Sequence, residues 1–165
     1  MRIRIRIPQP LAIVGVLSLG AVGVALLAQY KFGMEPCPWC VLQRLIYIVV
    51  GVLALLGAVI AGTPRRLAVV LALLGALSGV ASALWQQLHA INEASCDLSL
   101  ADRIIAKLQL DRLLPDVFEA RSSCADAAVS VLHIPFAVWS CLMYVLLALL
   151  LAWTLRATMK PRSGF

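Results

Sequence analysis

The chain has 165 residues, of which 62% are hydrophobic and only 13% are charged, and its mean hydropathy is +0.96. Soluble domains are nearer half apolar and a quarter charged, so this composition excludes an ordinary soluble domain and indicates an integral membrane protein. The net charge of +6 does not require a nucleic-acid partner, because the basic residues flank long apolar runs.

Four apolar runs cover residues 11–30, 41–61, 67–88 and 134–155. A helix of about 20 residues rises about 30 Å, the thickness of the hydrocarbon core of a bilayer. The first run is longer than the apolar part of a signal peptide and no A-x-A cleavage site follows it, so we expect an uncleaved span. We therefore predict one all-α domain over residues 1–165, a bundle of four transmembrane helices.

The basic residues indicate the orientation of this bundle. Residues 1–10, 62–66 and 156–165 carry eight basic residues and no acidic residue, whereas all eight acidic residues belong to the other side. The positive-inside rule therefore places both termini in the cytoplasm and the connections 31–40 and 89–133 outside. Four cysteines lie in these outer connections, where disulfides can persist, and they are Cys37, Cys40, Cys96 and Cys124.

The first outer connection contains Cys37-Pro38-Trp39-Cys40, a spacing typical of redox-active thiol pairs. Pro38 suits the first turn of a helix, so we expect Cys40 near the N-terminal end of the second span, where the helix dipole favours a thiolate. Arg44 lies one turn further on. It could reach lipid headgroups, or it could stabilise a thiolate or polarise the carbonyl of an electron acceptor.

The second outer connection begins after His89, at the outer end of the third run. His89 is either a solvated end residue or a hydrogen-bond and proton partner for a ligand in that plane. Further on, Ser99-x-x-Asp102 is typical of a capping box and predicts a short amphipathic helix from Leu100, limited by Pro115. We expect this helix to lie on the membrane surface or to cap the bundle.

Two cysteine pairs on one side of a membrane could bind zinc, form two static disulfides or pass electrons. Only Cys37 and Cys40 have close ligand spacing, so we predict no metal site. Closure of a loop of about 29 residues stabilises a Cys96–Cys124 disulfide by roughly 3.5 kcal/mol, against about 2 kcal/mol for the short loop. The difference, about 30 mV, favours electron flow from Cys96/Cys124 to Cys37/Cys40. A lipid-soluble quinone is the natural two-electron acceptor at this surface.

These features together resemble the disulfide bond formation protein B (DsbB) family. The chain shares with it four spans, a C-x-x-C just before the second span, an arginine four residues after the second cysteine, a histidine at the end of the third span and a cysteine pair in the long outer connection. Residues 114–118 and 139–140 also resemble the family. His133 and Ala137 stand where the resemblance leads us to expect glycine and proline.

The resemblance implies a membrane thiol:quinone oxidoreductase of the bacterial inner membrane, with its redox cysteines in the periplasm. By matching position, Cys96 would form the mixed disulfide with a soluble DsbA-type oxidase of thioredoxin fold, and Cys124 would then pair with Cys37. Cys40 would face the quinone, either ubiquinone or menaquinone, with Arg44 and His89 helping to hold it.

Two other functions are compatible with parts of this pattern. A vitamin K epoxide reductase-like enzyme does related chemistry, but its membrane-proximal C-x-x-C follows the loop cysteines, whereas here it precedes them. A membrane scaffold with structural disulfides would need no electron transfer at all.

Overall fold

Four long helices form the body of the protein in a computed structural model that describes residues 9–90, 99–127, 130–131 and 133–159. They are α1 (Gln9–Phe32), α2 (Pro38–Val59), α3 (Thr63–Trp85) and a seventh helix, α7 (Phe136–Met159). Each is long and apolar enough to cross a membrane. The predicted all-α bundle of four transmembrane helices is confirmed.

The helix ends differ from the predicted spans by a few residues, for local reasons. Helix α2 begins at Pro38 instead of residue 41, because proline is favoured at the first helical position and Cys37 caps the helix. The third run continues beyond α3 into a π-helical turn, Gln86–Ala90. Helix α7 begins two residues later than predicted, because Ile134–Pro135 (β2) pairs with Ser130–Val131 (β1) in a short antiparallel ladder.

The turn between these two strands contains His133, at φ 64°. This is the left-handed region that glycine occupies without steric cost. The position is one where the family resemblance leads us to expect glycine, so the backbone keeps a conformation that suits glycine although the residue is histidine.

Helix α2 is central to the bundle. It packs along α1 on one side and α3 on the other, α3 packs along α7, and α1 and α7 contact each other over a shorter stretch. Small residues of α2 and α3 lie in the buried core of the bundle, among them Ala54, Ala58, Ala72 and Ala76. Because lipid is as apolar as leucine, close van der Waals packing of this kind is what holds transmembrane helices together.

The long outer connection folds into three short helices, α4 (Leu100–Lys107), α5 (Leu110–Leu113) and α6 (Pro115–Phe118). The predicted capping box is confirmed: Asp102 N–H donates to Ser99 Oγ at 3.2 Å, and Ser99 N–H donates to Asp102 Oδ2 at 3.0 Å. We predicted that Pro115 limits this helix, but Pro115 instead begins α6. Helix α4 ends at Lys107, because Gln109 adopts a left-handed conformation with φ 54°.

The buried face of α4 packs against α2 and so caps the outer end of the bundle. Ala101 and Ile105 are buried there, and Phe118 of α6 packs against Ile105 and Val41. In the described part of this connection four leucines are exposed, namely Leu100, Leu108, Leu113 and Leu114. Contact of this exposed face with the membrane surface remains a prediction.

Gly79 should be intolerant of any side chain. A Cβ at this position would overlap the ring of Tyr144, which is fully buried and fixed by a hydrogen bond to Gln43 O. We expect Gly79→Ala to destabilise the protein by about 1–3 kcal/mol, the usual cost of overpacking a core. The measurement is thermal unfolding in detergent micelles. Gly23→Ala is the matched control, because a Cβ there meets no atom within 4 Å; an equal melting temperature for both variants would contradict the packing.

Candidate redox site at the outer end of the bundle

The site is built around the first turn of α2. Cys37 is the N-cap residue, and its Sγ accepts a hydrogen bond from the Cys40 N–H at 3.4 Å. Pro38 takes the first helical position, so the C-x-x-C spacing brings both side chains to one end of the helix, with 2.8 Å between the two Sγ atoms. The prediction that Cys40 lies near the N-terminal end of the second span is confirmed.

The long outer connection is tied to the short one by hydrogen bonds. The Arg121 N–H donates to Pro36 O at 3.0 Å, and the Ser122 hydroxyl donates to Glu35 O at 2.9 Å. Two residues later, Cys124 packs against Cys37 in a buried cluster that includes Trp39. The structure therefore brings three of the four predicted cysteines together. Cys96, the fourth, lies in residues 91–98, outside the described residues.

Hydrogen bonding makes the thiols of Cys37 and Cys124 unequal. Cys37 is hydrogen-bonded to Cys124 and to Cys40 and has no exposed surface, and these effects together raise its pKa well above the usual range of a thiol. Cys124 accepts the hydrogen bond from Cys37, which lowers its pKa in spite of burial. A proton held on Cys37 thus favours a thiolate at Cys124.

A chain of buried polar side chains reaches the sulfurs from the opposite side. The Gln86 Nε2 donates to Cys40 Sγ at 3.3 Å and to Cys37 Sγ at 3.5 Å. Gln43 Nε2 donates to Gln86 Oε1 at 2.7 Å, and the Ser140 hydroxyl of α7 donates to Gln43 Oε1 at 2.6 Å. No motif in the sequence marks Gln43 or Gln86. The signal that could have found them is the rarity of polar side chains inside apolar spans.

Arg44 points into the protein and is only 5% exposed. Its Nη1 donates to Gln29 Oε1 at 2.7 Å and to Val117 O at 3.0 Å, and its Nη2 donates to Ala25 O at 3.5 Å. These contacts join α2 to α1 and to α6, so the alternative that Arg44 reaches lipid headgroups does not describe this side chain.

A cavity of about 480 Å³ opens between α1, α2 and α7. Its polar end is formed by Cys40, Gln43, Arg44, Gln86 and Ser140. The remainder is apolar, and the α1 side of it includes the small residues Gly20, Ala21, Ala25 and Ala28. The shape and polarity of the cavity suit a ring with polar substituents on an apolar tail.

His89 is placed differently from Arg44, the other residue predicted to bind a ligand. Its side chain is exposed, and its ring lies 4.4 Å from the ring of Trp85, which in turn is 6.4 Å from Trp39. Among the described residues, those that line the cavity include Arg44 but not His89. Contact of His89 with a ligand stays a prediction.

Cys141 is half-buried on α7. It is the remaining cysteine of the described part of the chain and belongs to neither pair.

Comparison with known proteins identifies the family. The family model "Disulfide bond formation protein DsbB" matches residues 8–154. The chain belongs to the DsbB family. It is 35% identical over 141 residues to "Disulfide bond formation protein B" of Cupriavidus necator, an alignment that covers 85% of this chain and 87% of that protein. It is 33% identical over 158 residues to "Disulfide bond formation protein B 1" of Pseudomonas savastanoi, covering 92% and 91%.

DsbB membership and the four apolar helices make the chain a multi-pass membrane protein of disulfide bond formation. The geometry fits that chemistry, since three sulfurs lie within one buried cluster and Cys40 also borders a cavity.

The unequal thiols should react unequally with an alkylating agent. In the fully reduced protein, we expect iodoacetamide at neutral pH to modify Cys124 before Cys37, because only the thiolate reacts and the hydrogen bond from Cys37 lowers the pKa of Cys124. The measurement is mass spectrometry of the labelled peptides over a pH series. In Cys37→Ala the donor is gone, so the labelling profile of Cys124 should move to higher pH. An unmoved profile would show that this hydrogen bond does not control Cys124.

Proposed function

We propose that this chain is a thiol:quinone oxidoreductase that reoxidises a soluble DsbA-type thiol oxidase and passes the electrons to a membrane quinone. The observation that carries the proposal is the position of Cys40. Its sulfur is hydrogen-bonded to Cys37 on one side and borders the cavity on the other, so electrons that reach Cys37 have an exit. DsbB membership supports the same function.

The cavity fits a quinone. Its polar end offers N–H donors of Arg44, which can bind a carbonyl oxygen, and its apolar part can hold an isoprenoid tail. Arg44 would hold the ring beside Cys40, and the small α1 side chains would leave room for the tail. A bound quinone supplies an acceptor for two electrons and two protons.

The thiol chemistry on this chain runs through two disulfides. The DsbA-type partner, in its reduced dithiol form, attacks a Cys96–Cys124 disulfide, leaves as a disulfide and gives two electrons and two protons to Cys96 and Cys124. The thiolate of Cys124 then attacks Cys37 of a Cys37–Cys40 disulfide, which releases Cys40 as a thiolate. Attack of Cys96 on the Cys37–Cys124 bond restores the loop disulfide and leaves the Cys37/Cys40 dithiol, which is oxidised at the cavity.

The orientation follows from the charges. With both termini in the cytoplasm, the cysteines of residues 31–40 and 89–133 face the periplasm, and the membrane is the bacterial inner membrane. His89, at the outer surface beside Trp85, lies at the rim of this face and does not enter the thiol steps.

The direct test uses purified protein in detergent or nanodiscs with a soluble quinone and a reduced DsbA-type protein. We expect catalytic oxidation of the partner with consumption of one quinone per disulfide. Cys40→Ser and Cys124→Ser should each abolish turnover, because each breaks the relay, whereas Cys141→Ser should retain it. If Cys40→Ser turns over as fast as the parent, the relay is not the route of the electrons.

Arg44 should affect quinone binding more than it affects the thiol steps. We expect Arg44→Ala to raise the Michaelis constant for quinone by about tenfold or more, because a hydrogen bond to a charged group contributes about 1.5–3 kcal/mol. Arg44→Lys keeps the charge but not the planar set of donors. Its Michaelis constant for quinone should therefore lie between the values of the parent and of Arg44→Ala. The measurement is the rate as a function of quinone concentration. Arg103→Ala, which changes an exposed arginine of α4, is the control.

Failure of the loop to pack is the alternative explanation for such an effect, because Arg44 also contacts Val117 O. Gln29→Leu tests these two explanations separately, because it removes the contact of Arg44 to α1 and leaves the contact of Arg44 to α6. A raised Michaelis constant in Arg44→Ala together with parent-like labelling of Cys124 supports quinone binding; an unchanged Michaelis constant overturns it.

A further inference from the structure

Gln86 contacts both sulfurs of the Cys37–Cys40 pair, and the thiol steps above make no use of it. Its side chain is only 5% exposed and it begins the π-helical turn that follows α3. Single π-helical turns within helices are frequent at functional sites. The Gln86 amide nitrogen lies 3.3 Å from Cys40 Sγ and 3.5 Å from Cys37 Sγ.

The hydrogen bonds around Gln86 fix which end of its amide faces the sulfurs. Gln86 Oε1 accepts from Gln43 Nε2, so the oxygen is turned away and the NH₂ group is turned toward the cysteines. Gln43 is fixed in the same way, because its Oε1 accepts from the Ser140 hydroxyl. The hydrogen bonds therefore all run in one direction. Ser140 of α7 donates to Gln43 of α2, Gln43 donates to Gln86, and Gln86 donates to the two sulfurs.

Two tyrosines hold the Ser140 and Gln43 end of this hydrogen-bond chain. The Tyr47 hydroxyl bonds Ser140, and the Tyr144 hydroxyl donates to Gln43 O at 2.7 Å. Their rings stack with centroids 4.0 Å apart. These contacts of α2 and α7 hold the hydrogen-bond chain in place.

We propose that Gln86 raises the reduction potential of the Cys37–Cys40 pair, and that Gln43 and Ser140 are positioning residues that keep the Gln86 N–H groups on the sulfurs. A thiolate sulfur accepts hydrogen bonds much more strongly than a disulfide sulfur, so a fixed N–H donor stabilises the reduced pair more than the oxidised pair. Stabilisation of the reduced form makes a disulfide a stronger oxidant.

This inference rests on the proposed function for its use in the relay. A higher potential at Cys37–Cys40 adds to the advantage that loop closure gives the Cys96–Cys124 disulfide, so both effects drive electrons in the same direction. Gln86 touches the reacting atoms, whereas Gln43 and Ser140 act through it.

The test measures the potential without quinone and without a partner. Full-length protein carrying Cys96→Ala and Cys124→Ala is equilibrated in detergent with glutathione buffers, and the oxidised fraction of Cys37/Cys40 is read by alkylation and mass spectrometry. We expect Gln86→Leu to raise the ratio of oxidised to reduced pair about tenfold at a given buffer, a fall of about 30 mV in potential. Gln43→Leu and Ser140→Ala should move it in the same direction by a smaller factor, because the Gln86 amide is then free to turn.

Gln87→Leu is the matched control, because it changes the neighbouring glutamine, whose Oε1 has no hydrogen-bond partner. We expect it to leave the potential at the parent value. Equal potentials in Gln86→Leu, Gln87→Leu and the parent would overturn the proposal.

Gln86→Glu distinguishes hydrogen bonding from a merely structural role, and it keeps the size of the side chain. Below the pH at which the introduced carboxyl ionises, its O–H can donate to a sulfur, and the potential should stay near the parent value. Above that pH the carboxylate repels a thiolate, and the potential should fall by more than in the leucine variant. A gap between Gln86→Glu and parent that does not change with pH would contradict donation to the sulfurs. If the parent protein does not turn over with quinone, the proposed function is overturned, but the measured potential of Cys37/Cys40 is unaffected.

Discussion

Buried polar groups in this bundle have no water to bind in the hydrocarbon, so a partner within the protein stabilises them strongly. Gln29, Gln43, Arg44 and Gln86 are all buried, and all four are hydrogen-bonded to another part of the chain. They gather at the outer end of the four long helices, where they join α1, α2, the π-helical turn and α7. Cys37 and Cys40 lie at the edge of this polar cluster, while the remainder of the bundle is held by small residues and leucines.

The same polar cluster connects the cavity to the outer connection. Arg44 borders the cavity, bonds Gln29 of α1 and bonds Val117 O of α6. Six residues beyond α6, Cys124 lies against Cys37. One guanidinium group therefore links the cavity to the connection that carries the loop cysteine.

The sequence was sufficient to predict features that depend on neighbouring residues. Hydropathy adds up over about 20 residues, which is why the four spans were found, and Cys37-Pro38 and Ser99-x-x-Asp102 are local cap signals that act within one turn. The end of α4 and the β1–β2 ladder were missed, because they depend on left-handed residues, Gln109 and His133, that no pattern marks. The Gln43–Gln86 bond joins residues 43 positions apart, and a single sequence does not show which polar residues in different spans will meet.

The face that His89 presents could not be predicted from the sequence either, although His89 is only three residues from Gln86. In a regular α-helix, residues three apart lie on nearly the same face, so a sequence that places Gln86 toward α2 would place His89 there as well. The π-helical turn has more residues per turn, which shifts the phase of the helix at this point. Gln86 is buried at the sulfurs, whereas His89 is exposed beside Trp85. The face that a residue at the end of a span presents therefore depends on a backbone irregularity.

The two cysteines of one C-x-x-C motif acquire different surroundings from the geometry of a helix start. Cys37, as the N-cap, lies outside the first turn, where the outer connection covers it completely and brings Cys124 to it. Cys40, three residues on, lies inside the first turn and reaches the cavity. A pair with both thiols on a loop would offer the same sulfur to every reactant. Here the helix start separates the two sulfurs, with Cys124 beside Cys37 and the cavity beside Cys40, and the Gln86 amide contacts both.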